Sequence, residues 1–270
     1  MVEAAVEVLM PAGPRAPVVV HVPHASVAIP DEVRAELSLA DDELSVELLR
    51  LTDWYTDELF AGLRATGATL FVNRLSRLVF DPERFLDVAA EPMAARGQGV
   101  VYWQGSELQP IRELAPDLRW SRIRALYEPY HAALDAVVGQ LLAEFDTCTV
   151  VDGHSFATEP LPSEIDQSPD RPDICIGSDE RHTPIALAEA LQAGFTAEGL
   201  RVARDMPFSG TFVPSGYYGT DGRVRSVMVE VRRGLYIDEA TGERLPAFGD
   251  VAAMVARVVG AAVATTDTGS

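Results

Sequence analysis

The chain has 270 residues, of which 47% are hydrophobic and 23% are charged, as in ordinary soluble globular domains. Its formal net charge is −19 and all 22 basic residues are arginines, which excludes the basic footprint of a nucleic-acid-binding protein. The two cysteines, Cys148 and Cys175, are too few for a disulfide scaffold. The first residues carry no early basic region, and no apolar run approaches the ~18 residues of a membrane span. We therefore expect a cytoplasmic protein with no nucleic-acid or membrane partner, built as one domain over residues 1–270 with a core over about 17–264.

Short β-branched runs alternate with segments of helical period along the chain. In order, the pattern predicts a strand at 17–22, a helix at 41–65, a strand at 68–72, a helix at 122–145 kinked at Pro129, strands at 147–151 and 173–176, a helix at 183–199, strands at 200–203 and 225–231, and a helix at 247–264. Strands that alternate with helices predict a single α/β domain with a mixed, mostly parallel sheet flanked by helices. Proline and glycine punctuate residues 86–121, which predicts a long functional loop there, and the sequence leaves open whether it is a mobile lid.

Three of these predicted strands end in residues suited to catalysis. His24 follows the first strand, His154 follows the strand at 147–151, and Glu230 lies near the end of the strand at 225–231. Ligands of open α/β sheets bind beyond the carboxyl ends of the strands. Two histidines with a carboxylate are also a ligand set that catalytic zinc uses, with one position left open for water. The sequence therefore favours a shared metal site over two histidines that merely cap their strands.

Other polar residues carry a weaker signal. We expect His21, at an odd offset within its strand, to be a core histidine or to support a metal ligand. His131 and His182 are expected to be structural or exposed. The segment from Gly153 to Ala157 approximates a nucleophile elbow centred on Ser155, but its last position is not glycine and a proline-broken stretch follows it. A serine hydrolase is therefore a minor alternative.

Taken together, the motifs resemble the N-formylglutamate amidohydrolase family over about residues 18–238. No single motif is highly specific, but their order and spacing are specific jointly. The segments are HVPHASVAIP at 21–30, TDWYTDELF at 52–60, NRLSRLVFDPERF at 73–85, GQGVVYW at 97–103, EPYHAAL at 128–134, VDGHSF at 151–156, PDICIG at 172–177, PFSGTFVP at 207–214 and VEVRRGLYID at 229–238.

This resemblance implies a phosphorylase/hydrolase-like fold akin to the zinc carboxypeptidases. It also implies metal-dependent hydrolysis, with zinc as the expected ion, of a small N-acyl amino acid, with N-formyl-L-glutamate as the leading substrate. The residues that it assigns are the metal ligands His24, Asp53 and His154, with Asp57 a rival to Asp53; the general base Glu230; and the substrate-binding residues Arg77, Arg84, Ser209, Gly210 and Arg233.

The chain departs from the family at three places. It has Ala25-Ser26 where Ser-Gly is typical, Asp81-Pro82-Glu83-Arg84 where Asp-x-Asn-Arg is common, and Arg232 where asparagine often precedes the last arginine. The second and third changes fall at expected substrate contacts. An aspartoacylase-like deacylase, a carboxypeptidase-type hydrolase and a non-catalytic ligand-binding relative therefore stay open as alternatives.

Overall fold

The computed structural model describes residues 5–113 and 115–267, with side chains as far as 265. Its centre is a seven-stranded sheet in the order β1-β3-β2-β4-β7-β5-β6. The strands are β1 (Val6–Leu9), β2 (Val18–Val22), β3 (Thr69–Asn73), β4 (Cys148–Phe156), β5 (Ile174–Gly177), β6 (Val202–Arg204) and β7 (Val224–Arg232). Only the β1–β3 and β5–β7 pairs are antiparallel. The prediction of an α/β fold with a mixed, mostly parallel sheet is confirmed.

Helices cover both faces of this sheet. They are α1 (Asp31–Arg34), α2 (Asp41–Leu51), α3 (Thr56–Leu59), α4 (Pro116–Arg122), α5 (Glu128–Phe145), α6 (Ile185–Ala197) and α7 (Phe248–Asp267), with 3₁₀ turns at Ala61–Thr66, Pro92–Arg96 and Arg233–Leu235. Side chains of α3, α6 and α7 pack against one face, while α5 packs against the other. The central strands β2 and β3 are buried at every residue, as expected for parallel strands covered on both sides.

The helix expected at 41–65 is wrong as one element, because it ends at Leu51. Tyr55 adopts a left-handed backbone conformation with φ 59°, which an α-helix cannot continue through. The backbone N–H of Asp53 donates to the carbonyl of His24 at 3.0 Å instead of to its own helix. The break therefore fixes Asp53 beside the end of β2.

Several other boundaries differ from the sequence-based expectation. The helix expected at 122–145 begins earlier, as α4, and passes through a π-helical turn at Ile123–Tyr127 before Pro129. The edge strand β1 was not predicted. Strand β4 continues through Gly153 to Phe156, so Asp152 and His154 project from the same face of the sheet.

The last helix, α7, bears on the expectation that no apolar run is long enough to span a membrane. Its segment Phe248–Thr265 has a mean hydropathy of 1.5 and the length to cross a bilayer, although the sequence pattern suggested no such run. Length and composition are weak criteria, since a core helix meets them too. A third of this segment is buried, and Val255 and Val259 of α7 are fully buried in the cluster that α6 also contributes to, so one face of α7 packs against the domain.

The register of the sheet brings the functional strand ends together. His21 pairs with Asp152 across β2 and β4, and His154 pairs with Glu230 across β4 and β7. Because β2, β4 and β7 run parallel as neighbours, their carboxyl ends meet at one edge of the sheet. The segment after β3 reaches the same edge, where its residue Asp81 hydrogen-bonds to His24.

A buried carboxylate on α2 holds part of the long loop. Glu47, 2% exposed, accepts hydrogen bonds from the backbone N–H and hydroxyl of Ser106 and from the side chain of Gln109. We expect Glu47→Ala to destabilise the protein by about 1–3 kcal/mol, because it leaves buried hydrogen-bond donors without an acceptor. The measurement is urea unfolding. Glu107→Ala, which removes an exposed partner of Arg50 in the same loop, should cost less than about 1 kcal/mol, and equal losses would contradict this account.

Candidate metal and catalytic site

Two buried histidines and one aspartate face one another beyond β2 and β4. The Oδ2 atom of Asp53 lies 3.0 Å from Nδ1 of His154 and 3.6 Å from Nδ1 of His24. The two imidazole rings are 5.1 Å apart between centroids. Nδ1 of His24 is buried and has no hydrogen-bond partner. A buried nitrogen without a partner is costly for a protein, unless it binds a ligand such as a metal ion.

The opposite nitrogens of both rings face carboxylates. Nε2 of His24 lies 3.0 Å from Asp81, and Nε2 of His154 lies 3.0 Å from Glu83 and 3.1 Å from Asp152. Histidines that bind a metal through one nitrogen usually donate the other N–H to a carboxylate, which fixes the ring. His24 and His154 have this arrangement if the metal lies on their Nδ1 side.

Other groups of donor atoms also converge. Those of His24, Glu83 and His154 lie within 4.8 Å of one another, and so do those of His21, Glu83 and Asp152. Both groups depend on Glu83. In the set formed by His24, Asp53 and His154, Nδ1 of His154 and Oδ2 of Asp53 are hydrogen-bonded to each other, and Nδ1 of His24 is buried without a hydrogen-bond partner. That nitrogen is what distinguishes this set as a candidate for a metal.

The two candidate aspartates on the segment after α2 have different surroundings. Asp57 accepts a hydrogen bond from Arg74 at 2.6 Å near the surface, whereas Asp53 is 2% exposed and faces the histidines. Burial alone would raise the pKa of Asp53, but the hydrogen bond from His154 and the nearby ring of His24 hold that pKa well below its usual value of 3.8. Asp53 is therefore ionised, as a metal ligand must be.

Glu230 is a buried carboxylate with an unused acceptor. Its Oε2 atom has no hydrogen-bond partner, and it lies on β7 opposite His154. Burial raises its pKa to about 8, aided by the negative charges of Asp53 and Glu83 and opposed by His154. A carboxyl group with a pKa near neutrality can both accept and return a proton.

The three arginines expected to bind substrate are each paired with a carboxylate of the protein. Arg77 donates to Asp81 at 3.0 Å, and Arg84 lies 3.3 Å from the same carboxylate. Arg233 donates to Asp53 at 3.2 Å. The side chains of Arg77 and Arg84 keep 14% and 20% of their surface exposed. Both side chains are therefore mostly buried against Asp81, with a small part of each accessible.

Asp81 and Tyr102 were not identified from the sequence. Asp81 is fully buried and accepts hydrogen bonds from His24, Arg77 and the Tyr102 hydroxyl. Burial would raise its pKa, but Arg84, His24 and Arg77 hold that pKa well below its usual value. The available signal was the acidic residue three positions before Arg84. Tyr102 carries no sequence signal beyond its place in the glycine-rich loop.

Ser209, Gly210 and Ser155 are the remaining candidates from the sequence. Ser209 is exposed, and Gly210 has a left-handed φ of 86° in the turn that leads to Phe212. The link to the site is Phe212, whose backbone N–H donates to Asp152 at 3.0 Å. Ser155 accepts a hydrogen bond from Arg233 at 3.3 Å.

His21 contacts the site through one of its carboxylates, Asp152. Its Nδ1 atom lies 2.9 Å from Asp152 and its Nε2 atom lies 2.6 Å from the Tyr130 hydroxyl. It is fully buried and stacks on Phe212 at 4.3 Å between ring centroids. This is the supporting position expected from its odd offset in β2. His131 and His182 are also buried and bond to backbone groups.

A cavity of about 370 Å³ adjoins Arg233. It is lined by Leu49, Arg50, Ala157, Thr158, Glu159, Leu161, Arg233, Gly234, Ile237 and Glu239. Arg233 thus has Asp53 on one side and this cavity on the other. The cavity is more apolar than the histidine cluster and suits an aliphatic chain better than an ion.

Comparisons with known proteins show the family and the fold. The profile of the N-formylglutamate amidohydrolase family matches residues 16–237. N-formylglutamate deformylase of Pseudomonas putida is 27% identical over an alignment of 237 residues that covers 83% of this chain and 83% of that protein. The crystal structure of N-formylglutamate amidohydrolase from Ralstonia eutropha JMP134 is similar with a TM-score of 0.84 and 24% identity, over 97% of this chain and 99% of that one. A gene product of Agrobacterium tumefaciens has a TM-score of 0.72 and 25% identity over 97% and 96% of the two chains.

The raised pKa of Glu230 predicts a pH-dependent cost in stability. Below its ordinary pKa of 4.5 the group is protonated in both the folded and unfolded states, so it contributes nothing. As the pH rises from there to about 8, the unfolded chain releases a proton that the folded protein keeps, so stability falls. In EDTA, the melting temperature of Glu230→Gln should therefore exceed that of the wild type by a margin that widens between pH 5 and pH 8.

The control for this measurement is Glu189→Gln, at an exposed position of α6. It should melt at the wild-type temperature at every pH. A margin between Glu230→Gln and the wild type that stays constant with pH would contradict the raised pKa.

Proposed function

The chain is a hydrolase of the N-formylglutamate amidohydrolase family, and we propose that it cleaves the amide bond of an N-acyl amino acid with the help of one zinc ion. N-formyl-L-glutamate is the first substrate to test, with formate and glutamate as its products, because the matched family and the Pseudomonas putida relative bear that name. The observation that carries the proposal is the partnerless Nδ1 of His24 facing Asp53, close to a carboxylate with an unused oxygen, Glu230.

His24 and His154, through Nδ1, and Asp53, through Oδ2, would hold the zinc ion. Zinc bound by two histidines and a carboxylate supplies a water of lowered pKa and polarises the amide carbonyl. Asp81 orients the ring of His24 through Nε2. Asp152 and Glu83 do the same for His154. These contacts fix both rings before any ligand arrives.

Glu230 would act as the proton carrier of the reaction. Its free Oε2 accepts the proton of the attacking water and then delivers it to the leaving nitrogen. Burial raises its pKa to about 8, so the carboxylate is a stronger base toward water once it has lost its own proton. Oε2 makes no hydrogen bond to a protein group, so its acceptor capacity is available for a water molecule held in the site.

Arg77 and Arg84 would bind a substrate carboxylate. Both arginines pair with Asp81, and Arg77 also lies 3.9 Å from Asp53. Arginine presents paired N–H groups that match a carboxylate. Arg233, between Asp53 and the cavity, would contact the acyl or carbonyl end. The roles of Ser209 and Gly210 as substrate contacts stay predictions.

A non-catalytic binding protein of the same family is the contrasting function. Such a protein has no use for a buried carboxylate with an unpaired oxygen, which is expensive to keep. A serine hydrolase would need a histidine to activate Ser155, but the hydroxyl of Ser155 bonds to Arg233. We therefore expect phenanthroline to abolish amidohydrolase activity and serine-directed phosphonates to leave it intact.

Loss of one ligand should empty the metal site. We expect the purified protein to contain about one zinc ion per chain and His24→Ala, His154→Ala and Asp53→Asn to lose most of it, because a three-ligand site rarely survives with two. The measurement is elemental analysis after gel filtration. Asp57→Asn is the matched control, since Asp57 bonds to Arg74, and it should retain full metal. Full metal in both histidine variants would overturn the site.

Glu230→Gln should separate catalysis from binding. Glutamine keeps the shape but cannot carry the proton, so we expect turnover of N-formyl-L-glutamate to fall by about 10²–10⁴ with metal content unchanged. Steady-state kinetics on metal-replete protein measure this. Turnover within a few-fold of the wild type would exclude Glu230 as the base.

A further inference from the structure

The ring of Tyr102 lies in a small apolar cluster beside the candidate site. The side chain is 1% exposed and belongs to a cluster with leucines of the segment 37–51, with Leu78 and with Ile111. Its hydroxyl is therefore the polar tip of a ring that is otherwise surrounded by aliphatic side chains. A buried tyrosine hydroxyl usually finds a hydrogen-bond partner, and the partners of this one are charged groups of the site.

Backbone hydrogen bonds fix the loop segment that carries this tyrosine. The N–H of Asp81 donates to the carbonyl of Val100 at 2.8 Å, and Gln98 pairs with Tyr102 in an antiparallel bridge. Further along the same loop, the buried carboxylate on α2 binds Ser106. The position of the Tyr102 hydroxyl is therefore set by the loop backbone as well as by packing of the ring.

The Tyr102 hydroxyl joins three charged side chains. It donates to Oδ2 of Asp81 at 2.7 Å, and it accepts from Nε of Arg77 at 3.1 Å and from Nη2 of Arg84 at 3.3 Å. A hydroxyl has one donor and two acceptor sites, so these three bonds use all of them. The guanidinium of Arg77 also lies 5.8 Å from the centroid of the Tyr102 ring, within the range of a cation–π contact.

Asp81 alone does not fix the direction of both guanidinium groups. Nη2 of Arg77 donates to Oδ2 of Asp81 at 3.0 Å. Nε of Arg84 lies 3.3 Å from the same oxygen but makes no hydrogen bond. Within the described residues, the hydrogen bond that orients the guanidinium of Arg84 is the one to Tyr102. Without it, Arg84 would keep the attraction of a nearby charge, which sets no direction.

Both guanidinium groups keep N–H groups for a further acceptor. A guanidinium has five N–H donors, and the contacts of Arg77 to Tyr102, Asp81 and the Leu51 carbonyl do not use all of them. The side chains of Arg77 and Arg84 are 14% and 20% exposed. Recognition of a carboxylate by paired N–H groups depends on their orientation, so a group that orients both arginines acts on substrate binding.

We propose that Tyr102 is a positioning residue for substrate binding, whose hydroxyl sets the directions of the Arg77 and Arg84 guanidinium groups so that they receive one carboxylate of the N-acyl amino acid. This inference rests on the proposed amidohydrolase function and adds a residue to its substrate site. Tyr102 acts through the two arginines and takes no part in proton transfer or metal binding.

The first test is Tyr102→Phe, which keeps the buried ring and removes the hydroxyl. We expect KM for N-formyl-L-glutamate to rise by about 10-fold, near the lower end of what loss of a hydrogen bond to a charged group causes. The value of kcat should stay within about 3-fold, because binding and not the chemical step is affected. Steady-state kinetics on metal-replete protein measure both. Tyr102→Leu takes its place if Tyr102→Phe does not fold.

Two substrate analogues show whether a carboxylate is involved. N-formyl-L-glutamine lacks the side-chain carboxylate, and N-formyl-L-isoglutamine lacks the α-carboxylate. The analogue that lacks the carboxylate bound by Arg77 and Arg84 should show a smaller rise in KM in Tyr102→Phe than N-formyl-L-glutamate does. In a protein with Arg77→Ala and Arg84→Ala, Tyr102→Phe should cause no further loss of kcat/KM, since residues that act through one another are not additive.

Tyr127→Phe is the matched control. Its hydroxyl donates to the backbone carbonyl of Arg84 at 3.0 Å, so the variant loses a tyrosine hydrogen bond to the same residue without touching the guanidinium. It should leave KM at the wild-type value. Zinc content and melting temperature are measured for every variant, and Tyr102→Phe should retain its zinc.

Four results would overturn the inference. They are an unchanged KM in Tyr102→Phe, a rise by the same factor on all three substrates or in Tyr127→Phe, a full effect of Tyr102→Phe in the protein without both arginines, and loss of zinc from Tyr102→Phe. The last would show that Tyr102 acts through Asp81 on His24 instead. Hydrolysis of no substrate by metal-replete wild type would refute the proposed function itself, and the inference would fall with it.

Discussion

Repulsion among carboxylates at the carboxyl edge of β2, β4 and β7 is the interaction on which the rest of the site depends. Asp53, Asp81, Asp152 and Glu230 are all at least nine-tenths buried there, and an unpaired buried charge costs several kcal/mol. Only close positive partners make that density tolerable. The histidines and arginines of the site are therefore as much a condition of folding as of chemistry.

Nearby positive groups compensate the negative charges of these carboxylates to different extents, and their pKa values differ as a result. Asp53 and Asp81 have cationic partners that hold their pKa values low, so they stay ionised and fix the groups around them. Glu230 has too little compensation, and burial raises its pKa to about 8. A set of similar side chains thus acquires different protonation behaviour from position alone, which is how one site can hold both fixed ligands and a mobile proton.

The sequence predicts the parts of this site that regular structure positions. His24, His154 and Glu230 follow from the rule that parallel strands end at one edge, and the sheet that the rule requires is the one observed. Asp53 could not be separated from Asp57 by pattern, because both lie on what reads as a continuous helix. The two aspartates are separated by Tyr55, whose backbone is left-handed. Hydrophobic periodicity does not predict such a conformation.

The site residues that the sequence pattern did not identify are positioned by contacts between distant parts of the chain. Asp81 and Glu83 lie on an irregular segment after β3, and their partners are 57 and 71 residues away in the chain. Tyr102 reaches Asp81 from the long loop, which α2 holds through Glu47. Periodicity describes neighbours along the chain, so it is silent about such contacts.

Asp81 connects the two halves of the chemistry. Its carboxylate holds the ring of His24, a proposed metal ligand, and also the guanidinium of Arg77, a proposed substrate-binding group. The Tyr102 hydroxyl bonds to the same carboxylate, so movement of the loop would be felt at both groups. Asp81 therefore links a residue proposed to bind the metal with a residue proposed to bind the substrate through one buried side chain.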